Sequence, residues 1–212
     1  DPNKISVIES GANIESDEVP DIEFIKNKTI NNEICLLFLG VDWARKGGDI
    51  AYETFLKLQE MGLNVKLTVC GCIPPKNINH PKLKVIPFLN KHDKDQRKKL
   101  YQLFRDSTFF LLPTRSDTFG IVFCEASAFG LPIIATCTGG VSSAVKKGEN
   151  GYLLPYDARG HEYAILIGEI AKDRKRYSQL VHSSRNLYEK DLNWDAWALK
   201  VKDLFLQALS NK

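Results

Sequence analysis

The sequence predicts an α/β domain built on an open parallel sheet, with helices on both faces and a helical C-terminal tail. Three observations lead there. Runs such as Leu36-Leu37-Phe38-Leu39 are apolar at every position, which suits a parallel strand covered on both pleat faces and not a half-solvated antiparallel one. These runs alternate with amphipathic segments, as right-handed βαβ units require. A chain of 212 residues, 43% hydrophobic and 26% charged, has the size and composition of one globular core.

Taken in order, Lys4 to Glu9 reads as a short strand and Ser10 to Lys28, with acids, one Pro and no periodicity, as a wrapped loop. Residues 1–33 are therefore assigned to a linker segment, and 34–212 to the organised domain. Strand Ile34 to Gly40 leads to helix Asp49 to Met61, and strand Val65 to Gly71 follows. Strand Leu83 to Pro87 leads to helix Asp93 to Phe104, and strand Thr108 to Leu112 to helix Phe119 to Gly130. Strand Ile133 to Thr136, helix Val141 to Lys146 and strand Gly151 to Leu154 complete the alternation. Three helical stripes then form the tail. The last runs from Trp194 through Trp197, Val201, Leu204, Phe205 and Ala208, with Asn193 placed to cap it.

The 29 basic and 26 acidic residues leave a net charge of +3, too balanced to argue for a nucleic-acid partner. No apolar run approaches the ~18 residues of a spanning helix, so a soluble chain is expected. Five cysteines, an odd number with no C-x-x-C spacing, read as reduced thiols in a cytoplasmic setting. The chain opens on Asp1-Pro2 with no Met and no leader pattern, and is expected to be an excerpt of a longer protein.

In an open parallel sheet, ligands bind beyond the carboxyl ends of the strands, which directs attention to four loops there: Gly40 to Gly48, Pro87 to Asp93, Pro113 to Gly120 and Thr136 to Val141. Gly40 to Gly48 carries Arg45 and Lys46 at a helix N-terminus. The helix dipole disfavours cations at that end, so something negative is expected to compensate them, and a phosphate would do so. A solvated turn is the plain alternative. Pro113 to Gly120 places Asp117 eight positions before Glu125, which falls among Val122, Phe123, Cys124 and Phe129. A carboxylate there needs donors. A vicinal diol offers two, and an Arg or backbone partner is the alternative. Thr138-Gly139-Gly140 opens a short helix whose free amides suit an anion, although an ordinary glycine turn has the same sequence. His80, His92, His161 and His182 are scattered, without ligand spacing, so no metal is expected.

The Lys46-Gly47 loop, Asp117-x7-Glu125 with Phe119-Gly120, and Thr138-Gly139-Gly140, in this order, resemble the C-terminal half of a GT-B glycosyltransferase. The family they resemble is GT4, the retaining nucleotide-sugar enzymes. The match runs from about Ile34 to Pro155. The resemblance implies a Rossmann-like domain that binds a nucleoside diphosphate sugar, with that sugar as donor substrate and no cofactor. It implies that Glu125 holds the ribose hydroxyls and Asp117 faces the donor sugar. The Gly120 and Ile121 amides would approach the diphosphate, with Phe119, Thr138 and Gly139 beside them. Lys46, with Arg45 as a second cation, would neutralise the departing diphosphate. Gly40 and Gly47 would let the backbone approach, and the stretch containing Phe88 would lie along the base.

Two positions depart from the family: Asp117 stands where Glu is usual, and Val41 where many members have Arg. An N-terminal acceptor-binding domain is implied as a missing partner in the same chain, and any membrane contact is expected only through that half. The fragment alone is expected to be inactive. Two other readings stay open: a different GT-B enzyme, such as a sugar-nucleotide epimerase or a phosphorylase-like enzyme, and a non-catalytic partner-binding module.

Overall fold

The computed structural model describes residues 5–210. Six strands form a single parallel sheet: β1 (Ile34–Leu39), β2 (Val65–Cys70), β3 (Leu83–Ile86), β4 (Phe109–Leu112), β5 (Ile133–Thr136) and β6 (Gly151–Leu154). Their spatial order is β3-β2-β1-β4-β5-β6. The all-apolar runs fall where burial on both faces is complete: Leu36, Leu37 and Phe38 in β1 and all four residues of β4 have no exposed surface. At the edge, β3 carries exposed Lys84, and a charged side chain on an edge strand discourages pairing with another chain.

The helices between strands are α2 (Gly48–Glu60), α3 (Lys94–Asp106), α4 (Ile121–Ala128) and α5 (Val141–Ala144), followed by α6 (Gly160–Lys172), α7 (Arg174–Lys190) and α8 (Trp194–Ser210). α2 packs against α6, and α4 against α7. Asp93 caps α3 by accepting from the Asp95 and Gln96 amides at 3.1 and 2.9 Å. The expected cap of α8 is present, with Asn193 Oδ1 accepting from the Ala196 amide at 2.8 Å. α4 begins at Ile121 and not at Phe119, because Gly120 sits at φ +83 in the left-handed region, which a helix cannot include. None of the described helices is long and apolar enough to cross a membrane.

Two expectations about the N-terminal segment are corrected. Residues 5–10 form no strand, and Lys4, the first residue of the expected one, lies outside the described residues. Ile5 and Val7 alternate as a strand would, yet both are exposed; alternation supplies a pattern but no partner to pair with. The wrapped loop is partly helical. It contains a 3-10 turn, Ser16–Glu18, and α1 (Ile22–Asn27), capped by Asp21 accepting from the Phe24 amide at 2.8 Å. α1 buries one residue, Ile25, so it is too short to show a helical period in sequence. The segment is tied down at Ala12, whose amide donates to Leu192 O at 2.9 Å.

Five described cysteines are free thiols. On α8 no residue is buried, and Leu199, Phe205, Leu206 and Leu209 are exposed.

Candidate functional site

The strand order reverses direction between β1 and β4, and loops leaving their carboxyl ends diverge to open a crevice. Two of the loops singled out above, Gly40 to Gly48 and Pro113 to Gly120, are the ones that flank it.

The first loop is fixed by its own backbone. Lys46 N donates to Asp42 O at 3.0 Å and Gly48 N to Trp43 O at 2.8 Å, while the Trp43 ring lies 5.6 Å from that of Phe38. Gly47 has φ +74, and a Cβ there would lie 1.9 Å from Pro113 O. No L side chain fits both conditions, so Gly47→Ala is expected to destabilise the fold by about 1–3 kcal/mol, measured by denaturant unfolding.

From this loop Lys46 reaches across to Asp117, with Nζ 2.5 Å from Oδ2 and each side chain 12% exposed. Arg45 is 43% exposed; its Nη1 donates to Ser116 O at 3.2 Å and its Nε lies 3.5 Å from Asp42 Oδ2. The negative charge expected beside the two cations is thus supplied by carboxylates of the chain itself.

The third and fourth loops interlock. Gly140 N donates to Asp117 O at 3.2 Å. A Cβ on Gly139 would lie 2.1 Å from Asp117 O, and one on Gly140 1.9 Å from Thr118 O. Thr138 Oγ1 donates to Arg115 O at 3.4 Å. Asp117 is therefore held by backbone from both sides. Gly120, partly buried Phe119 and Ile121 open α4, and the Gly120, Ile121 and Val122 amides have no backbone acceptor among the described residues. Such amides and the helix dipole favour an anion.

Glu125 lies within α4 and is 2% exposed. Burial pushes its carboxyl above the usual range, and the charge of Lys91, the hydrogen bond from Lys91 Nζ and the proximity of the Asn13 amide oppose that shift. The partner that a buried carboxylate demands is thus Lys91, together with backbone. Beside Lys91 is a hollow of about 320 Å³ lined by Gly40, Val41, Phe88 and Leu89, with Phe88 61% exposed. Two larger or equal hollows lie at the other end of the sheet, near Cys35 and Lys66, away from the converging loops.

Of the residues selected from sequence, Lys46 and Asp117 meet directly, Gly47, Gly120, Thr138 and Gly139 shape the loops around them, and Gly40 and Phe88 line the hollow. Lys91 was missed. The Pro87 to Asp93 loop that carries it is among the four loops at the strand ends, but Lys91 also opens the charge-rich stretch Lys91 to Lys99, and nothing local ties it to Glu125. Asn150 was missed as well. Fully buried, it donates to Ser127 Oγ at 3.0 Å and Ala144 O at 2.8 Å, and accepts from Lys146 N at 2.7 Å, which fastens α4 to α5. Among the described residues no group of His, Cys, Asp and Glu is arranged to hold a metal ion.

Comparison with known proteins bears on this arrangement. Residues 21–187 match the family described as glycosyl transferases group 1. The chain belongs to this family. Among its relatives is a D-inositol 3-phosphate glycosyltransferase of Xylanimonas cellulosilytica, 25% identical over 187 residues, which cover 84% of this chain and 43% of the relative. Another, of Streptomyces griseus, is 30% identical over 118 residues, 54% of this chain and 24% of that one. The chain thus spans about half or less of the length of these glycosyl transferases.

Solved structures confirm the GT-B-type, Rossmann-like fold. A glycosyltransferase of Rickettsia africae superposes with TM-score 0.75 at 18% identity, covering 100% of this chain and 59% of that one. HepE of Anabaena, solved in complex with UDP-glucose, superposes with TM-score 0.68 at 16% identity, covering 98% and 57%.

Proposed function

We propose that this group 1 glycosyl transferase chain is the donor-binding half of a retaining enzyme that moves a glycosyl group from a nucleoside diphosphate sugar to an acceptor. The observation that carries the proposal is the meeting of Lys46 and Asp117 at the strand-order reversal, beside the open amides of α4. Family membership and a structural relative solved with UDP-glucose support it.

Breaking the glycosyl–phosphate bond leaves negative charge on the diphosphate and positive character on the sugar carbon. Lys46, Arg45 and the Gly120 and Ile121 amides are placed to stabilise the leaving diphosphate electrostatically. No metal is assigned a part. As the diphosphate draws Lys46 toward itself, Asp117 becomes available to accept hydrogen bonds from donor-sugar hydroxyls. Glu125 accepts from the ribose, and Phe88 covers the base. Thr138 and Gly139 hold the Asp117 loop in place.

The acceptor-binding domain is assigned to a further part of the polypeptide, in keeping with relatives about twice as long, and this half alone is expected to have little transferase activity.

A thermal-shift panel of UDP-, GDP- and ADP-sugars and the free nucleotides tests the reading. A donor at 100 times its Kd stabilises by about 2.7 kcal/mol, which raises the midpoint by roughly 5–11 °C in a chain of this size. Equal responses to nucleotides and to inorganic phosphate would refute it.

A further inference from the structure

We propose that Lys91 is the placeholder of the ribose seat: its ammonium stands on Glu125 until two hydroxyls of a ribonucleoside diphosphate displace it, which makes Lys91 a determinant of ribose over deoxyribose. The inference rests on the donor-site reading above and adds to it a residue and a selectivity.

Geometry carries the argument. Glu125 has almost no exposed surface, 2%, whereas the Lys91 side chain paired with it is 36% exposed and faces the hollow that holds Phe88. A ribose entering from that hollow meets Lys91 first and cannot reach Glu125 while the pair stands.

The main chain around Lys91 is pinned. Arg97 Nη1 donates to Lys91 O at 3.3 Å, Gln96 Oε1 accepts from the Asn90 amide at 2.9 Å, and Asn90 Oδ1 accepts from the His92 amide at 3.0 Å. The backbone stays, and the side chain, held at its tip only by Glu125, is the part free to swing toward solvent. Its departure removes a charged donor from a buried carboxylate, which is costly unless equivalent donors arrive. A 2′,3′-diol brings two. A 2′-deoxyribose brings one and leaves the carboxylate short of a partner, and sites built to hydrogen-bond a hydroxyl reject analogues that lack it. Without Lys91 there is no ammonium to displace, and a single hydroxyl reaches Glu125 without that cost.

The test compares UDP with 2′-deoxy-UDP, and GDP and ADP with their 2′-deoxy forms, by calorimetric titration of this chain and of its Lys91→Met variant. The chain should prefer the ribose form by tenfold or more, and Lys91→Met should reduce that preference to threefold or less. An unchanged preference in Lys91→Met overturns the proposal.

A double-mutant cycle of Lys91→Met and Glu125→Gln, read from thermal midpoints, gives an independent measure. The two residues should be coupled in the free chain and uncoupled at saturating UDP; coupling that persists in the complex also overturns the proposal. If none of UDP, GDP and ADP binds the unaltered chain, the donor-site reading fails and this inference with it. Binding with persistent coupling refutes only the placeholder.

Discussion

Replacing Lys46 with Met lowers the turnover of the complete transferase by about 100- to 1000-fold, the usual loss when one preorganised donor to a developing anion is removed. The basis is the position of Nζ, 2.5 Å from Asp117 Oδ2 on the side of the crevice that carries the α4 amides. Met retains the length and apolar stem of Lys, so the approach of this side chain to Gly40, where a built Cβ would lie 2.7 Å from Lys46 Cγ, is preserved. The charge alone is removed. A cation that stabilises the leaving diphosphate more than the bound donor acts on kcat, whereas one that only anchors the donor acts on KM. Steady-state kinetics of Lys46→Met should show most of the loss in kcat, with some loss of stability as well, because Asp117 is left without its cation. A kcat within threefold of the original would show that Lys46 does no more than secure Asp117.

Replacing Phe104 with Ala destabilises the fold by about 3–5 kcal/mol, the range for deleting a buried aromatic ring. Phe104 has no exposed surface. Its ring stacks on that of Phe129 at 5.2 Å and on that of Phe110 at 5.9 Å, so one side chain joins α3 to β4 and to the end of α4. Tyr101 meets the same Phe129 ring at 5.8 Å. The vacated space is walled by rigid rings that collapse poorly, which places the cost toward the upper end of the range. The thermal midpoint should fall by roughly 6–20 °C. A fall of less than 3 °C would mean that the neighbouring rings refill the site.

The sheet was legible in the sequence because strands buried on both faces must be apolar throughout. The bounds of β5 and β6 agree to the residue with the runs Ile133 to Thr136 and Gly151 to Leu154. The short N-terminal elements were not legible. Ile5 and Val7 alternate without a neighbouring strand, and the single buried residue of α1 sets no period.

Of the site, the glycines and the Lys46 and Asp117 loops could be read from their places after strands. The ion pair of Glu125 could not. That a partner was needed followed from its apolar surroundings, but Lys91 lies 34 positions away, and only the folded chain brings the two together. Asn150 was obscured in the same way: preceding a glycine, it looks like a turn residue, and its role emerges only when α4 and α5 close over it.

The strand order also has a bearing on how the chain is made. Because β1 lies in the middle of the sheet, between β2 and β4, a nascent polypeptide that has completed the first three strands of this sheet still presents one whole side of β1 unpaired. That side, apolar and rich in unmet amides and carbonyls, waits until Phe109 and Phe110 have emerged to register against Leu36 and Leu37. Until then that unpaired side is open to pairing with another chain.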